Sequence, residues 1–183
     1  MARISNILGV YFMSTVVIQV RSAKVEDAAA IAEVHVASWC TAYRNLMPEA
    51  ILSALSVAER EAHWGESIAK GEPQILVAED GGEVIGFLAF GPSRDEGASP
   101  DTLEIRALYV NPRSWSNGAG RALCQTCYSS GLALGGKMLS LWVLAENHRA
   151  RKFYESVGFR GETGTSRPYE RAGVSLQQCY APR

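Results

Sequence analysis

Apolar and polar positions change period several times along the chain, and each change marks an element. The β-branched run "VVIQV" at 16–20 predicts a first strand. In "VEDAAAIAEVHVASW", 25–39, acids come first and positions 28, 31, 32 and 35 fall at helical spacing, which predicts a helix. Pro48 opens a short helix running to about Leu55. Ser56, with Glu59 three residues on, has the form of a capping box, and Gly71 closes the helix that it starts. "QILVAED" and "EVIGFLAFGP" flank Gly81-Gly82 and read as a hairpin.

The second half repeats the alternation of strand and helix. Residues 93–102 are polar and turn-rich, a loop. "LEIRALYV", 103–110, predicts a strand closed by Asn111-Pro112, and the helix after it runs to about Ser130 and breaks at Gly131. "MLSLWVL", 138–144, predicts another strand. Asn147 then starts a helix whose Ala150, Phe153, Tyr154 and Val157 form one stripe. Gly158 stops it, a strand begins near Phe159, and the tail ends in a strand over 174–180. No repeat or linker divides the chain. The order predicts an α/β sandwich: a mixed central sheet of six to seven strands with helices on both faces.

Residues 1–14 stand apart from this pattern. "ILGVYFMSTVVI" is apolar, but it is too short for a membrane span and lacks an A-x-A-like cleavage site. The reading is a disordered extension or a mis-annotated start ahead of Met13, with a single domain over 15–183. Composition adds few constraints. The chain has 183 residues, 47% of them hydrophobic, and a net charge of −1, so nothing drives it toward nucleic acid or membrane. Cys124 and Cys127 form a C-x-x-C inside a helical pattern with no second pair. They read as buried apolar residues in a reducing, cytoplasmic setting. Three lone histidines make no metal set.

The stretch "WSNGAGRAL" carries the chemistry. Gly118 and Gly120 stand where a helix begins, after a strand. Glycine in a helix costs about 1 kcal/mol relative to alanine. A helix N-terminus offers free N–H groups and partial positive charge, so the loop reads either as a phosphate cradle or as a tight strand-to-helix turn. The P-loop spacing fails because no Lys-Ser or Lys-Thr follows. The dinucleotide fingerprint fails because Leu123 stands at the third glycine's place.

"LEIRALYVNPRSWSNGAGRAL" followed by "LWVLAENHRARKFYESVGFR" resembles the GNAT superfamily of acyl-CoA-dependent N-acetyltransferases. The first stretch is similar to its acetyl-CoA motif and the second to the motif after it. The order of elements from residue 16 also fits, and "SWCTAYRNLMPE" and "FLAFGPSRDE" look like a bacterial branch of the superfamily. The usual Gln or Arg at the loop's start is Trp115 here, and Ser116 replaces a frequent glycine. Since backbone N–H groups carry most of the pyrophosphate binding in this family, the cradle survives the change.

The resemblance implies a GNAT fold, acetyl-CoA as donor, and direct attack by a primary amine of a small molecule or peptide. It implies Glu104 as general base and Tyr154 as proton donor to the departing thiolate. Coenzyme contacts fall to Leu108, Tyr109 and Val110, to the loop Trp115, Ser116, Asn117, Gly118, Ala119, Gly120 and Arg121, and to Asn147, Arg151 and Phe153. Strands 103–110 and 138–144 would splay to admit the pantetheine arm. Asn147 is equally explained as an N-cap. Trp39, Tyr43, Phe90 and Tyr169 form either an amine pocket or ordinary core. A homodimer is common in the family, and a non-catalytic acyl-CoA binder on the same fold is the alternative function.

Overall fold

The computed structural model describes residues 3–7, 10–14, 17–162, 165–169 and 174–182. Strands β1 (Arg3–Ile7) and β2 (Val10–Ser14) pair only with each other, as an antiparallel hairpin. The main sheet begins with β3 (Gln19–Ser22), later than the run at 16–20 suggests; Val17 is exposed instead. Charge anchors the shifted strand: Arg21 pairs with Asp27, below the first helix, and with Glu79 on the neighbouring strand.

Helix α1 (Ala28–Ala42) buries Ala28, Ile31, Ala32 and His35, the stripe that its spacing predicts. After the short α2 (Glu49–Ser53) comes α3 (Val57–Lys70). Ser56 caps α3 by accepting from the Glu59 N–H at 3.3 Å, and Gly71 ends it at φ +71°. Strands β4 (Gln74–Asp80) and β5 (Glu83–Pro92) form the expected hairpin, followed by β6 (Thr102–Val110). Helix α4 (Ala119–Ala133) runs through Gly131 rather than breaking there. Gly131 is buried inside it, and the chain turns away only around Gly135, at φ +79°. Then come β7 (Met138–Leu144), α5 (His148–Ser156), β8 (Arg160–Gly161), β9 (Arg167–Tyr169) and β10 (Val174–Pro182).

The sheet order is β3-β4-β5-β6-β7-β10-β8, with β9 beside β10. Among the described residues, only β6 and β7 run parallel to each other; every other ladder is antiparallel. This is the mixed α/β sandwich expected, with apolar packing on both faces. On one face Ile31, Val34 and Trp64 pack on Val77, Phe87 and Ala89. On the other, Leu123, Cys124, Cys127 and Phe159 pack on Leu88, Phe90, Ile105 and Leu141. Burial pushes the Cys124 thiol up to about 12, so it stays protonated, as an apolar core cysteine does.

Two irregularities in β6 place the site. Ala89 of β5 pairs with Ala107, but Phe90 pairs with Ile105, so Arg106 is an extra residue, a β-bulge. The bulge reverses the alternation. Leu103 and Ile105 face the α4 side; beyond it Leu108 and Val110 do, while Ala107 and Tyr109 turn to the α1 side. The parallel ladder between β6 and β7 also stops here, at Ile105–Leu141. Past that point β6 continues to Val110 and β7 to Leu144 without pairing, and a gap opens between them.

Candidate active site

The gap leads into a cavity of about 570 Å³ between the end of β6, the 114–121 loop, the end of β7 and the first turns of α5. One wall is unpaired backbone. Asn111 N–H donates to Ile85 O across the β5–β6 ladder. Antiparallel ladders alternate the sides on which residues bond. Tyr109 and Ala107 therefore bond toward β5, and Leu108 and Val110 turn their N–H and C=O groups toward the gap. The Val110 carbonyl confirms this, since it accepts from Ser38 Oγ at 2.9 Å and from Trp115 Nε1 at 2.7 Å. The Leu108 N–H and C=O and the Val110 N–H are left facing the cavity.

The second wall is the start of α4. Asn111 caps a short turn by accepting from the Arg113 N–H, and Ser116 then takes φ +65° and Gly118 φ +99°. This path carries the loop amides out of ordinary helix bonding. Ala119 N–H reaches Asn117 Oδ1 at 3.3 Å, but the N–H groups of Ser116, Asn117, Gly118, Gly120 and Arg121 have no protein acceptor among the described residues. Five free donors at a helix N-terminus form an anion site. The two glycines have different jobs. Gly118 supplies a left-handed turn. Gly120 makes room for α5: a Cβ there would lie 3.0 Å from Phe153 Cζ.

The third wall is α5. Asn147 caps it, accepting from the Ala150 N–H at 3.0 Å, and also lines the cavity. Phe153 and Tyr154 follow on the same side. The Tyr154 ring packs on Phe153 and Phe159, and its remaining surface faces the cavity. Burial, with smaller contributions from Cys124, Tyr109 and Cys179, pushes its phenol well above the usual value, so it keeps its proton.

Two expected residues are not where the sequence reading puts them. Arg151 does not line the cavity; its guanidinium donates to Ala145 O at 3.1 Å and braces the β7–α5 turn. Arg149 takes the cavity position, with its guanidinium carbon 3.7 Å from the Trp115 ring centre. Phe90 is fully buried in the α4-side core and lines no cavity. The β5 alternation sends it to that face, away from Phe87 and Ala89. The Tyr169 side chain lies outside the described residues.

A smaller cavity, about 230 Å³, lies on the α1 side and holds Trp39 and Glu104. It shares Tyr43, Ile105, Arg106, Tyr109 and Trp142 with the large one, so the two meet at the splay. Glu104 is almost fully buried and is gripped by Arg94, which donates from its backbone N–H (3.1 Å) and its Nε (3.0 Å), and again from Nη2. Burial alone raises the Glu104 carboxyl, but the Arg94 hydrogen bonds and charge outweigh it and hold it below the usual range. Asp95, next in the loop, accepts from Trp142 Nε1 at 3.0 Å and from Gln178 Nε2.

Sequence reading missed Ser38, Arg106 and Trp142, and singled out Arg151 rather than Arg149 at the start of α5. For Trp142 the signal was present: Leu139, Leu141 and Val143 alternate inward, which turns Trp142 to the other face. For Arg106 it was not, because a bulge leaves no mark in "LEIRALYV". His35 is structural: it accepts from Trp64 Nε1 at 3.0 Å, and burial, aided by Arg60 and His63, pushes its pKa down to about 3.

This combination, a splayed parallel pair beside an anion-binding helix start, defines the class. Residues 35–159 match the family model described as Acetyltransferase (GNAT) family. YuaI of Bacillus subtilis, an uncharacterized N-acetyltransferase, is 36% identical over 162 residues, 88% of this chain and 90% of that protein. Among solved structures, PaiA N-acetyltransferase from Thermoplasma acidophilum, in complex with coenzyme A, superposes with a TM-score of 0.74 at 18% identity, covering 91% of this chain and 99% of that one. YncA of Salmonella typhimurium, solved with its cofactor acetyl-CoA, gives 0.69 at 21% identity, covering 91% and 94%. The chain belongs to the GNAT acetyltransferase family and is an N-acyltransferase. Among the described residues, no helix is long and apolar enough to cross a membrane.

Proposed function

We propose that the protein moves an acetyl group from acetyl-CoA to a primary amine of a small molecule or peptide. One observation carries the reading: five unbonded loop amides, the open edge of β6 and Tyr154 border a single cavity. Bound there, acetyl-CoA supplies an acetyl group activated as a thioester. The residues present fit it. The amides of Ser116, Asn117, Gly118, Gly120 and Arg121 hold the diphosphate. Leu108 and Val110 offer backbone groups to the pantetheine arm as a neighbouring strand would, and a gap-facing N–H there stabilises negative charge on the acetyl oxygen.

The amine enters from the smaller cavity. Its nitrogen forms the new C–N bond as the C–S bond breaks, and it gives up one proton. Glu104 accepts that proton through water, since Arg94 occupies both of its oxygens. Tyr154 donates its phenolic proton to the departing sulfur and regains one from solvent. The products are an N-acetyl amide and the free thiol. The catalytic unit is residues 15–183, since β1 and β2 pair only with each other. Free cysteines fit a cytoplasmic setting.

Binding of acetyl-CoA by calorimetry, together with amine-dependent thiol release, tests the reading. Binding without release from a broad amine panel would leave an acyl-CoA binder on the same fold.

A further inference from the structure

The smaller cavity has a character of its own. Four aromatic side chains, Trp39, Tyr43, Tyr109 and Trp142, stand in its wall beside Arg94, Glu104 and Arg106. Trp39 meets Tyr43 edge-on at 5.0 Å, and Leu144 and Leu176 add apolar surface. Its volume, about 230 Å³, lies below the roughly 300–1,000 Å³ typical of sites for drug-sized ligands.

Its carboxylate is already engaged, and Arg106 keeps a buried Nε–H with no acceptor among the described residues. Glu104, the carboxylate in the lining, is neutralised by the Arg94 fork. Arg106 donates to Pro92 O at 3.0 Å and lies 3.5 Å from Glu72. A polyamine needs free carboxylates for the cationic centres it keeps after the reacting amine is neutralised. This wall offers none, and it brings two arginines that repel such centres. An aromatic ring removes its apolar area from water here and stacks edge-on or offset on its neighbours.

We infer that the acceptor is a small primary amine with an aromatic or comparably large apolar body and no second positive charge. This rests on the acetyltransferase reading and narrows it. The ring sits against the Trp39–Tyr43 pair, and the amine points past Tyr109 into the splay where the two cavities join.

Thiol release with saturating acetyl-CoA and either 2-phenylethylamine or spermidine decides it. The expected result is a kcat/KM at least tenfold higher for 2-phenylethylamine. Trp39→Ala should lower that value about tenfold while leaving the KM for acetyl-CoA unchanged. Arg94→Met, which frees the Glu104 carboxylate, should shift the ratio toward spermidine. Faster release with spermidine by the native enzyme overturns the inference and leaves the transferase reading standing. If neither amine releases thiol although acetyl-CoA raises the melting temperature, it is the transferase reading that has failed. Tryptophan fluorescence then judges the pocket: saturable quenching by 2-phenylethylamine that Trp39→Ala abolishes supports it, and its absence overturns it.

Discussion

Phe153 fills the space that a side chain on residue 120 would need, with its Cζ 3.0 Å and its Cε2 3.1 Å from a Cβ placed there. One glycine thus sets how closely α5 approaches the start of α4, and with it the width of the coenzyme cavity.

Gly120→Ala should therefore push the Phe153 ring toward the cavity. Overpacking of this kind costs about 1–3 kcal/mol, and acetyl-CoA affinity should fall about tenfold. Gly118→Ala differs, since its nearest neighbour is Ile18 Cδ1 at 3.8 Å and the strain lies in φ +99°. It should cost about 1–2 kcal/mol of stability and affect affinity less. Urea unfolding and calorimetry separate the two; equal affinity loss in both variants would contradict the assignment.

Tyr154→Phe keeps the ring contacts with Phe153 and Phe159 and removes only the hydroxyl proposed as proton donor. It should lower kcat about 100-fold and leave the affinity for acetyl-CoA within twofold. Because burial raises the phenol's pKa, the native enzyme should show no loss of rate from tyrosine ionisation up to pH 9. Unchanged turnover in the variant would return Tyr154 to a packing role.

Arg149 and Arg151 should separate cleanly. Arg149→Ala removes a cavity-lining charge stacked on Trp115, and should weaken acetyl-CoA binding with a reduced dependence on salt. Arg151→Ala breaks the bond to Ala145 O, so it should lower the melting temperature and leave affinity close to native. Calorimetry at two salt concentrations reads both.

What was legible in the chain follows from the physics of each signal. Caps and periods are local, so Ser56, Gly71, Asn147 and the α5 stripe could be read directly. The glycine loop was legible as the start of a helix because helix-start chemistry is local too, with cradle and tight turn both left open. The division of labour between Gly118 and Gly120 was not, because it depends on Phe153, thirty-three positions beyond Gly120. Phe90 looked like a pocket residue because alternation gives two faces without saying which one is a core. Arg151 looked like a ligand because the resemblance does not say which arginine at the start of α5 turns toward the cavity. The bulge at Arg106 is a property of two strands together, and neither sequence alone contains it.

The Arg94–Glu104 pair makes a prediction about pH. In the native protein the folded Glu104 pKa lies below its ordinary value of 4.5. The pair's stabilisation is therefore complete above the unfolded pKa and lost as pH falls through the folded one. Arg94→Met leaves a buried carboxylate with burial as its main influence, so its pKa should rise. The sign then inverts: the variant carries a penalty at neutral pH that acid relieves by protonation. Breaking a fully buried pair costs about 3–5 kcal/mol. Arg94 is 58% exposed, and solvent screening reduces the expected loss at pH 7 to about 1–2 kcal/mol. The melting temperatures of native protein and variant should thus differ most at pH 7 and converge toward pH 4. A constant difference across that range would mean that Arg94 acts through packing of the 93–101 loop and not through the charge on Glu104.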